Sequence, residues 1–221
     1  MDFAVRKEDA ARHDDTDPKC RSMIHPMNEC LPMKERLKEL ILELAFQYSE
    51  TPVFKLVSGG LSQFYFNCKM VTLDPEGQFL IGHLFFEAVK NTGVKAVGGL
   101  TLGADPIAGA VAYTSWLQKS PLQAFVVRKK AKEHGTASLI EGKVVPGDRV
   151  VVVDDVVTTG GSTLQAIAAC RQAGLEVVKA VVLIDREEMS GRENILHEVP
   201  DVEAIVTRSE VMELLAARGR R

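Results

Sequence analysis

The fold is decided by the stretch Val150-Val151-Val152-Val153-Asp154-Asp155-Val156-Val157-Thr158-Thr159-Gly160-Gly161-Ser162-Thr163. Its four consecutive valines are typical of a strand that is covered on both faces, where alternation with polar residues is not required. The two aspartates follow at the C-terminal end of that strand, the edge where open α/β sheets hold their ligands. Residues 158–163 then offer backbone N–H groups and hydroxyls to an anion at a helix N-terminus. The stretch therefore predicts a site for a phosphorylated sugar, with acceptors for hydroxyls beside donors for a phosphate.

Composition narrows the class of protein. The chain has 221 residues, 46% of them hydrophobic, which predicts one domain of ordinary globular composition plus an appendage. The net charge of −3 argues against a general affinity for nucleic acid. The longest apolar stretch, 106–117, is shorter than the ~20 residues that a membrane span needs. The four cysteines include no CxxC pair, which favours free thiols and a cytoplasmic location.

Residues 1–31 carry charges of both signs and no periodic apolar pattern, so we expect a disordered extension. Two histidines and two cysteines in or near it raise the question of a zinc site: His13, Cys20, His25 and Cys30. Their spacing matches no compact ligand pattern, and we predict no protein metal site there. The predicted domain spans 32–221, divided into a small N-terminal hood (32–72) and a core (73–221).

The hood and the core differ in the order and spacing of their predicted helices and strands. Pro32 opens a predicted helix that runs to about Ser49, and a hairpin is predicted from Val53 to Val57 and Phe64 to Phe66 around a glycine turn. A helix from Pro75 follows. From Val94 onward, strands alternate with helices of roughly 10–15 residues, which is typical of βαβ units. We therefore predict an α/β fold with a mainly parallel central sheet flanked by helices.

An ordinary βα turn would explain the glycines of the opening stretch but not two adjacent carboxylates, which repel each other. The sequence Val-Val-Val-Asp-Asp-Val-Val-Thr-Thr-Gly-Gly-Ser resembles the phosphoribosyl-pyrophosphate (PRPP) motif of type I phosphoribosyltransferases. The resemblance implies that fold, with Asp154 and Asp155 holding the ribose hydroxyls and acting in catalysis. It implies PRPP contacts at Asp154, Asp155, Val156, Val157, Thr158, Thr159, Gly160, Gly161 and Ser162. Residues 158–162 are called the phosphate loop below.

The segment 128–135, called the lid below, holds four cations and a histidine within eight residues. Such a run is often a solvated loop, but this one directly follows a predicted strand at the same sheet edge, which favours closure over an anion. It resembles the catalytic loop of orotate phosphoribosyltransferases, which reaches into the neighbouring subunit of a dimer. The resemblance implies a homodimer that shares the lid, with Lys132 catalytic and pyrophosphate contacts from Arg128, Lys129, Lys132 and His134.

A third signal follows the next predicted strand, in Asp185-Arg186-Glu187-Glu188. Without the family resemblance, this segment would be interpreted as an Arg–Glu ion pair on the surface. The resemblance instead implies that Arg186 recognises orotate, whose planar anion suits the fork of a guanidinium, with Thr158 as a second contact. Two positions depart from the family pattern. Val57 replaces a frequent lysine, leaving Lys55 or Lys69 as candidate cations, and Leu102-Gly103 replaces a Tyr-Lys pair.

Together these residues predict transfer of the phosphoribosyl group from PRPP to orotate, giving orotidine 5′-monophosphate and pyrophosphate. Mg²⁺ is the expected cofactor, held mainly by substrate oxygens and water. Two alternatives stay open on the sequence alone. One is a phosphoribosyltransferase for a purine base, and the other is a regulator that binds PRPP without catalysis.

Overall fold

The computed structural model describes residues 30–55, 59–130 and 139–219. The N-terminal part contains a helix that ends in one π-helical turn (Ile41–Ala45), four short strands and a second short helix. Their bounds are α1 (Cys30–Leu40), β1 (Phe46–Tyr48), β2 (Phe54–Lys55), β3 (Leu61–Ser62), β4 (Phe64–Phe66) and α2 (Lys69–Thr72). The predicted disordered extension lies outside the described residues, except for its last two positions.

The strand pairing of this N-terminal part differs from the prediction. Phe46–Tyr48, predicted as the end of a helix, forms β1 and pairs antiparallel with β4. The predicted partner of β4 pairs instead with β3, through Phe54 opposite Ser62. Aromatic pairs explain the change, since Phe46 lies 4.8 Å from Phe66 between ring centroids, and Tyr48 lies 5.7 Å from Phe64. Cross-strand aromatic contacts outweigh the helical spacing of the sequence here.

The core is a six-stranded sheet with helices on both faces. Its strands and helices are α3 (Pro75–Val89), β5 (Ala96–Leu100), α4 (Ala104–Leu117), β6 (Gln123–Val127), β7 (Ile140–Gly142), β8 (Arg149–Val157), α5 (Gly161–Gln172), β9 (Glu176–Asp185), α6 (Gly191–Leu196), β10 (Val202–Thr207) and α7 (Arg208–Arg218). The strand order is β10-β9-β8-β5-β6-β7, and each neighbouring pair is parallel except β6–β7. The predicted fold class is confirmed.

The valine run lies at the centre of this sheet and is covered on both faces, as predicted. Val151 and Val153 pack into the cluster that α1, α3 and α4 share, whereas Val150 and Val152 pack into the cluster of α5 and α6. All four side chains are at most 1% exposed. The rigid strand fixes the two aspartates at its end. In the described part of the chain, no helix has the length and apolar character needed to cross a membrane.

Candidate active site

The phosphate loop joins β8 to α5 and is fixed by contacts with α6. Gly160 has a φ of 81°, a left-handed conformation that favours glycine, and a Cβ there would lie 2.9 Å from the carbonyl oxygen of Gly191. Asn194 Nδ2 donates to the carbonyl oxygen of Thr159 at 3.1 Å. The loop therefore presents the N-terminus of a twelve-residue helix in one defined shape, which is a favourable place for a phosphate.

A cleft of about 470 Å³ opens over this loop. It brings together much of the predicted site and adds three residues from the hood. Its lining comprises Lys55, Tyr65, Phe66, Val156, Thr158, Thr159, Gly160, Gly161, Ser162 and Arg186. Val157 is buried beneath it, at 2% exposure. The cleft thus joins the phosphate loop to the residue predicted to recognise the base.

Asp154 is buried and fully engaged by hydrogen-bond donors. Its Oδ2 accepts from Ser162 Oγ and from Thr163 Oγ1, each at 2.7 Å, and its Oδ1 accepts from the backbone N–H of Asp155 at 3.0 Å. Burial, together with the charge of Asp155, raises the pKa of the Asp154 carboxyl to about 6. Through these hydrogen bonds, Asp154 stabilises the first turn of α5, which contains Ser162 and Thr163.

The same contacts decide which groups of the phosphate loop are available to an anion. A serine hydroxyl has one proton to donate, and that of Ser162 is directed at Asp154. The backbone N–H groups of the loop are therefore the ready donors. If Ser162 turned towards a phosphate, Oδ2 of Asp154 would lose one of its two hydroxyl donors and keep that of Thr163.

The raised pKa of Asp154 makes stability depend on pH. The folded protein holds this proton more tightly than the unfolded chain, so the carboxylate opposes folding above about pH 6 and the opposition disappears towards pH 4. We expect Asp154→Asn to raise the free energy of unfolding at pH 8 by roughly 1–3 kcal/mol. The gain should shrink as the pH approaches 4.5. Urea unfolding of both proteins at pH 8 and pH 4.5 measures the difference.

Asp148 offers a control of opposite sign. Hydrogen bonds from Lys95 and from the backbone of Val145 lower the pKa of its carboxyl. Its ionised form therefore stabilises the fold above its ordinary pKa, and that contribution is lost as the pH falls through the lowered value. Asp148→Asn should lose stability at pH 8. An Asp154→Asn protein that is equally destabilised at both pH values would contradict the account of Asp154.

Asp155 lies against the loop that joins β5 to α4. A Cβ on Gly103 would lie 2.5 Å from Asp155 Oδ1 and 2.8 Å from its Cγ, so only glycine leaves room for this carboxylate. The nearby Thr101 hydroxyl donates to Asp105 Oδ2 at 2.7 Å and steadies the turn. Asp155, a predicted ribose ligand, is thus in contact with the loop in which Leu102-Gly103 replaces the Tyr-Lys pair of the family pattern.

Gly103→Ala should move the Asp155 carboxylate without harming the fold. The backbone of Gly103 has a φ of −62°, which alanine adopts readily, and the displaced group is the end of a side chain. We expect kcat/KM for PRPP to fall about 10- to 100-fold, since misplacement by about 1 Å has effects of that size. Steady-state kinetics and a melting curve measure the two properties together.

Gly219→Ala is the matched control, because its φ of −72° suits alanine and a Cβ there meets its nearest atom at an ordinary 3.7 Å, the carbonyl oxygen of Leu215. Both variants add one methyl group, but only Gly103→Ala adds it against Asp155. Full activity in Gly103→Ala would show that the position of Asp155 does not matter for PRPP.

Arg186 is buried at the wall of the cleft, with 5% exposure. Its Nη2 donates to Ser62 Oγ and to the carbonyl oxygen of Phe64, each at 3.1 Å, and lies 2.8 Å from Glu188 Oε2. Its guanidinium carbon lies 6.0 Å from the ring centroid of Phe66. Among the described residues, its Nε has no hydrogen-bond partner. The guanidinium is therefore held by protein through Nη2, and its Nε is a buried donor that the described residues leave unpaired.

The hood supplies part of the cleft wall. Tyr65 and Phe66 line the cleft, whereas Phe64 packs on the core, with the guanidinium of Arg208 4.9 Å from its ring centroid. Of the two candidate cations, Lys55 lines the cleft and Lys69 does not. Both Val57 and Ser58 lie outside the described residues. Lys55 is therefore the better placed of the two lysines.

Only the beginning of the lid is described. Arg128 follows β6, lies 3.4 Å from Glu141 Oε1 through its Nη1, and does not line the cleft. Lys129 is exposed. Lys132 and His134 lie outside the described residues, and their predicted roles stay predictions.

Three residues of the site were not singled out from the sequence: Ser62, Glu188 and Asn194. Asn194 has no sequence signal, because α6 was not predicted. Ser62 lies 124 positions from Arg186, and no local spacing connects them. Glu188 was visible only as a surface partner of an arginine, although the structure shows it beside a buried one.

Comparisons with known proteins agree with this site. The family model for the Phosphoribosyl transferase domain matches residues 70–212. The chain is 48% identical over 179 residues to orotate phosphoribosyltransferase of Aquifex aeolicus (strain VF5), which covers 81% of this chain and 97% of that protein.

Solved structures give the same result. Mycobacterium tuberculosis H37Rv orotate phosphoribosyltransferase, in complex with PRPP, aligns with a TM-score of 0.64 and 33% identity over 81% of this chain and 99% of that one. Leishmania donovani UMP synthase aligns with a TM-score of 0.71 and 28% identity over 83% of this chain and 38% of that one.

Proposed function

The chain belongs to the phosphoribosyltransferase family, and from this premise we propose that it transfers the phosphoribosyl group of PRPP to orotate. The products are orotidine 5′-monophosphate, a pyrimidine nucleotide, and pyrophosphate. The observation that carries the proposal is the placement of Arg186 in the cleft that the phosphate loop lines. Its backbone N–H donates to the carbonyl oxygen of Val157 at 3.0 Å, directly before that loop.

The arrangement suits the chemistry of the transfer. The bond from C1 of the ribose to the pyrophosphate oxygen breaks, N1 of orotate forms the new bond, and C1 gains positive charge as in glycosyl transfer generally. We assign to the carboxylate of Asp155 the acceptance of hydrogen bonds from ribose hydroxyls and the stabilisation of that charge. The backbone N–H groups of the phosphate loop hold the 5′-phosphate, and four residues of the lid stabilise the leaving pyrophosphate, namely Arg128, Lys129, Lys132 and His134.

We assign Mg²⁺ to the substrate rather than to a protein site. Among the described residues, no group of three or more His, Cys, Asp or Glu side chains could hold a metal ion. Mg²⁺ keeps several waters and binds through one or two carboxylates together with substrate phosphates, where it neutralises their charge. The donor set fits such an ion, since Asp155 can accept hydrogen bonds from metal-bound water.

A homodimer that shares the lid is part of the proposal. The outer face of α4 carries three large exposed side chains, Tyr113, Trp116 and Leu117, at 69%, 72% and 52% exposure. They fall at i, i+3 and i+4, so they lie on one side of the helix. α4 begins directly after the Thr101–Gly103 loop, so a second copy that packed along the whole outer face of this helix would extend from these side chains to the site.

Trp116→Glu tests this surface. A buried charge in an apolar interface is unfavourable, so we expect a dimer for the unchanged protein and a monomer for the variant at micromolar concentration. Turnover should fall at least about tenfold, since a lid cannot reach a missing neighbour. Sedimentation velocity and the steady-state rate measure both effects.

Val145→Glu is the control, because it introduces the same charge at an exposed residue of the loop before β8, outside α4. It should stay dimeric and active. A monomeric unchanged protein with full turnover would overturn the proposal that the lid is shared. A Trp116→Glu protein that stays dimeric would show that the dimer interface does not include this face of α4.

Other parts of the proposal rest on the sequence. We assign residues 1–31 to an extension, and 32–221 to a single domain with its hood and core. A cytoplasmic location is supported by Cys68 and Cys170, which are buried free thiols. Burial raises the pKa of the Cys170 thiol to about 12, which keeps it protonated and unreactive.

A panel of bases tests the substrate assignment. The protein is mixed with PRPP, Mg²⁺ and either orotate, uracil, adenine or hypoxanthine, and pyrophosphate release is followed. We expect release with orotate at a rate at least about a hundredfold above the other bases, because only orotate offers a carboxylate to Arg186. Faster release with a purine would overturn the assignment.

A further inference from the structure

We propose that Glu188 is a positioning residue for the acceptor base, because its carboxylate holds the Arg186 guanidinium at the wall of the cleft. The proposal rests on the proposed function, in which Arg186 contacts orotate. Glu188 lies in the loop 187–190 between β9 and α6. It does not line the cleft, so it would act through Arg186.

Three donors from separate parts of the chain converge on this carboxylate. Arg186 Nη2 lies 2.8 Å from Oε2, while Arg208 Nη1 at 3.2 Å and Ser62 Oγ at 3.3 Å donate to Oε1. Ser62 Oγ also accepts from Arg186 Nη2 at 3.1 Å. The serine proton therefore points at Glu188, and its lone pair faces Arg186. This network connects β3 of the hood to the loop that follows β9 and to the first residue of α7.

The charges of the network depend on Glu188. The side chain of Arg186 is 7% exposed and that of Arg208 is 23% exposed, and both face the same carboxylate. A neutral amide in its place would leave two guanidinium groups beside each other with less compensation. Because an uncompensated buried charge is unfavourable, Arg186 would turn towards solvent.

The backbone of the loop fixes the carboxylate independently of Arg186. Glu187, Met189 and Ser190 have φ values of 53°, 55° and 53°, the left-handed region that side chains rarely adopt. Such residues persist where the surrounding structure determines them. Here Glu187 N–H donates to Asp185 Oδ1 at 2.8 Å, and Glu187 Oε2 accepts from the N–H of Ser209 at 2.9 Å. Glu187 therefore anchors the loop directly before Glu188.

Glu188→Gln tests the proposal by separating orotate from PRPP. We expect the KM for orotate to rise about 10- to 100-fold, while kcat and the KM for PRPP change by less than about threefold. A change confined to one substrate would not arise from general loosening of the fold. Glu188→Asp keeps the charge and should recover part of the orotate affinity.

Glu193→Gln is the matched control, since it makes the same chemical change at an exposed glutamate of α6 that takes no part in the network of Arg186, Ser62 and Arg208. It should keep the orotate KM within about threefold. Ser62→Ala removes only the bridging hydroxyl and should raise the orotate KM by about 3- to 10-fold. If Glu188→Gln fails to fold, the orotate KM of Ser62→Ala tests the proposal instead.

An unchanged orotate KM in Glu188→Gln, or equal increases for orotate and PRPP, would overturn the positioning role. The proposed function fails in a different way, namely if the unchanged protein does not consume orotate at all. An active unchanged protein with an insensitive Glu188→Gln would remove only the role of Glu188.

Discussion

Replacing Lys132 by alanine is expected to lower kcat by about 100- to 1000-fold, the usual effect of removing one group that stabilises charge in a transition state. As pyrophosphate leaves C1, negative charge grows on its oxygens, and a lysine in a closed lid stabilises that charge more than it stabilises bound PRPP. The KM for PRPP should therefore change much less than kcat. Initial rates at saturating orotate, over a range of PRPP concentrations, measure both quantities.

Lys130→Ala is the control for this experiment. Lys130 is an exposed lysine two positions away in the same lid, and none of the proposed roles depends on it. It should keep kcat within a few-fold. If Lys132→Ala turned over at the unchanged rate, the lid would not be the catalytic element.

Subunit mixing tests whether the lid acts across a dimer. Lys132→Ala and Asp155→Asn remove a lid residue and a core residue, so each homodimer should be nearly inactive. If the lid of one subunit completes the site of the other, a mixed dimer has one intact site. Co-expression in equal amounts should then give about a quarter of the activity of the unchanged protein, because about half of the dimers are mixed and each has one intact site. A lid that serves its own subunit would restore none.

Arg186→Gln is expected to be the second large effect, with kcat/KM for orotate lowered by about 100- to 1000-fold. A site built to pair with a polar substrate loses discrimination strongly when that pairing is removed. Arg186 holds one side of its guanidinium on Ser62, Phe64 and Glu188, and glutamine cannot span these contacts and a ligand. Steady-state kinetics with orotate varied, and then with PRPP varied, separate the two substrates.

Arg192→Gln is its control, since Arg192 is an exposed arginine of α6 that donates to the carbonyl oxygen of Val202 and does not line the cleft. It should leave both KM values near those of the unchanged protein. Equal losses for orotate and PRPP in Arg186→Gln would mean that Arg186 supports the cleft as a whole rather than the base.

The parts of the fold that follow local rules were predictable from the sequence. The valine strand, the acidic pair and α5 follow one another along the chain. The continuous run of valines in β8 predicts that both faces of this strand are buried. The helix α3 also begins at Pro75, as predicted. For α3, Asp74 caps the helix by accepting from the N–H of Gly77 at 2.9 Å.

The parts that depend on distant contacts were not predictable. Phe46–Tyr48 continues a helical spacing and forms a strand only because the aromatic residues of β4 lie opposite. The short antiparallel β7 has no apolar pattern of its own and is defined by its pairing with β6. In the site, the Ser62–Arg186–Glu188 network joins residues that are far apart in the chain. The requirement for glycine at position 103 follows only from the position of the Asp155 carboxylate.

The most direct test of the central claim is a stoichiometric assay of the unchanged protein with PRPP, Mg²⁺ and orotate. Loss of the ultraviolet absorbance of orotate is followed together with release of pyrophosphate. We expect both to proceed at the same rate, with one pyrophosphate released for each orotate consumed and orotidine 5′-monophosphate as the product. Binding of PRPP with no loss of orotate, or pyrophosphate release that does not depend on orotate, would contradict the account.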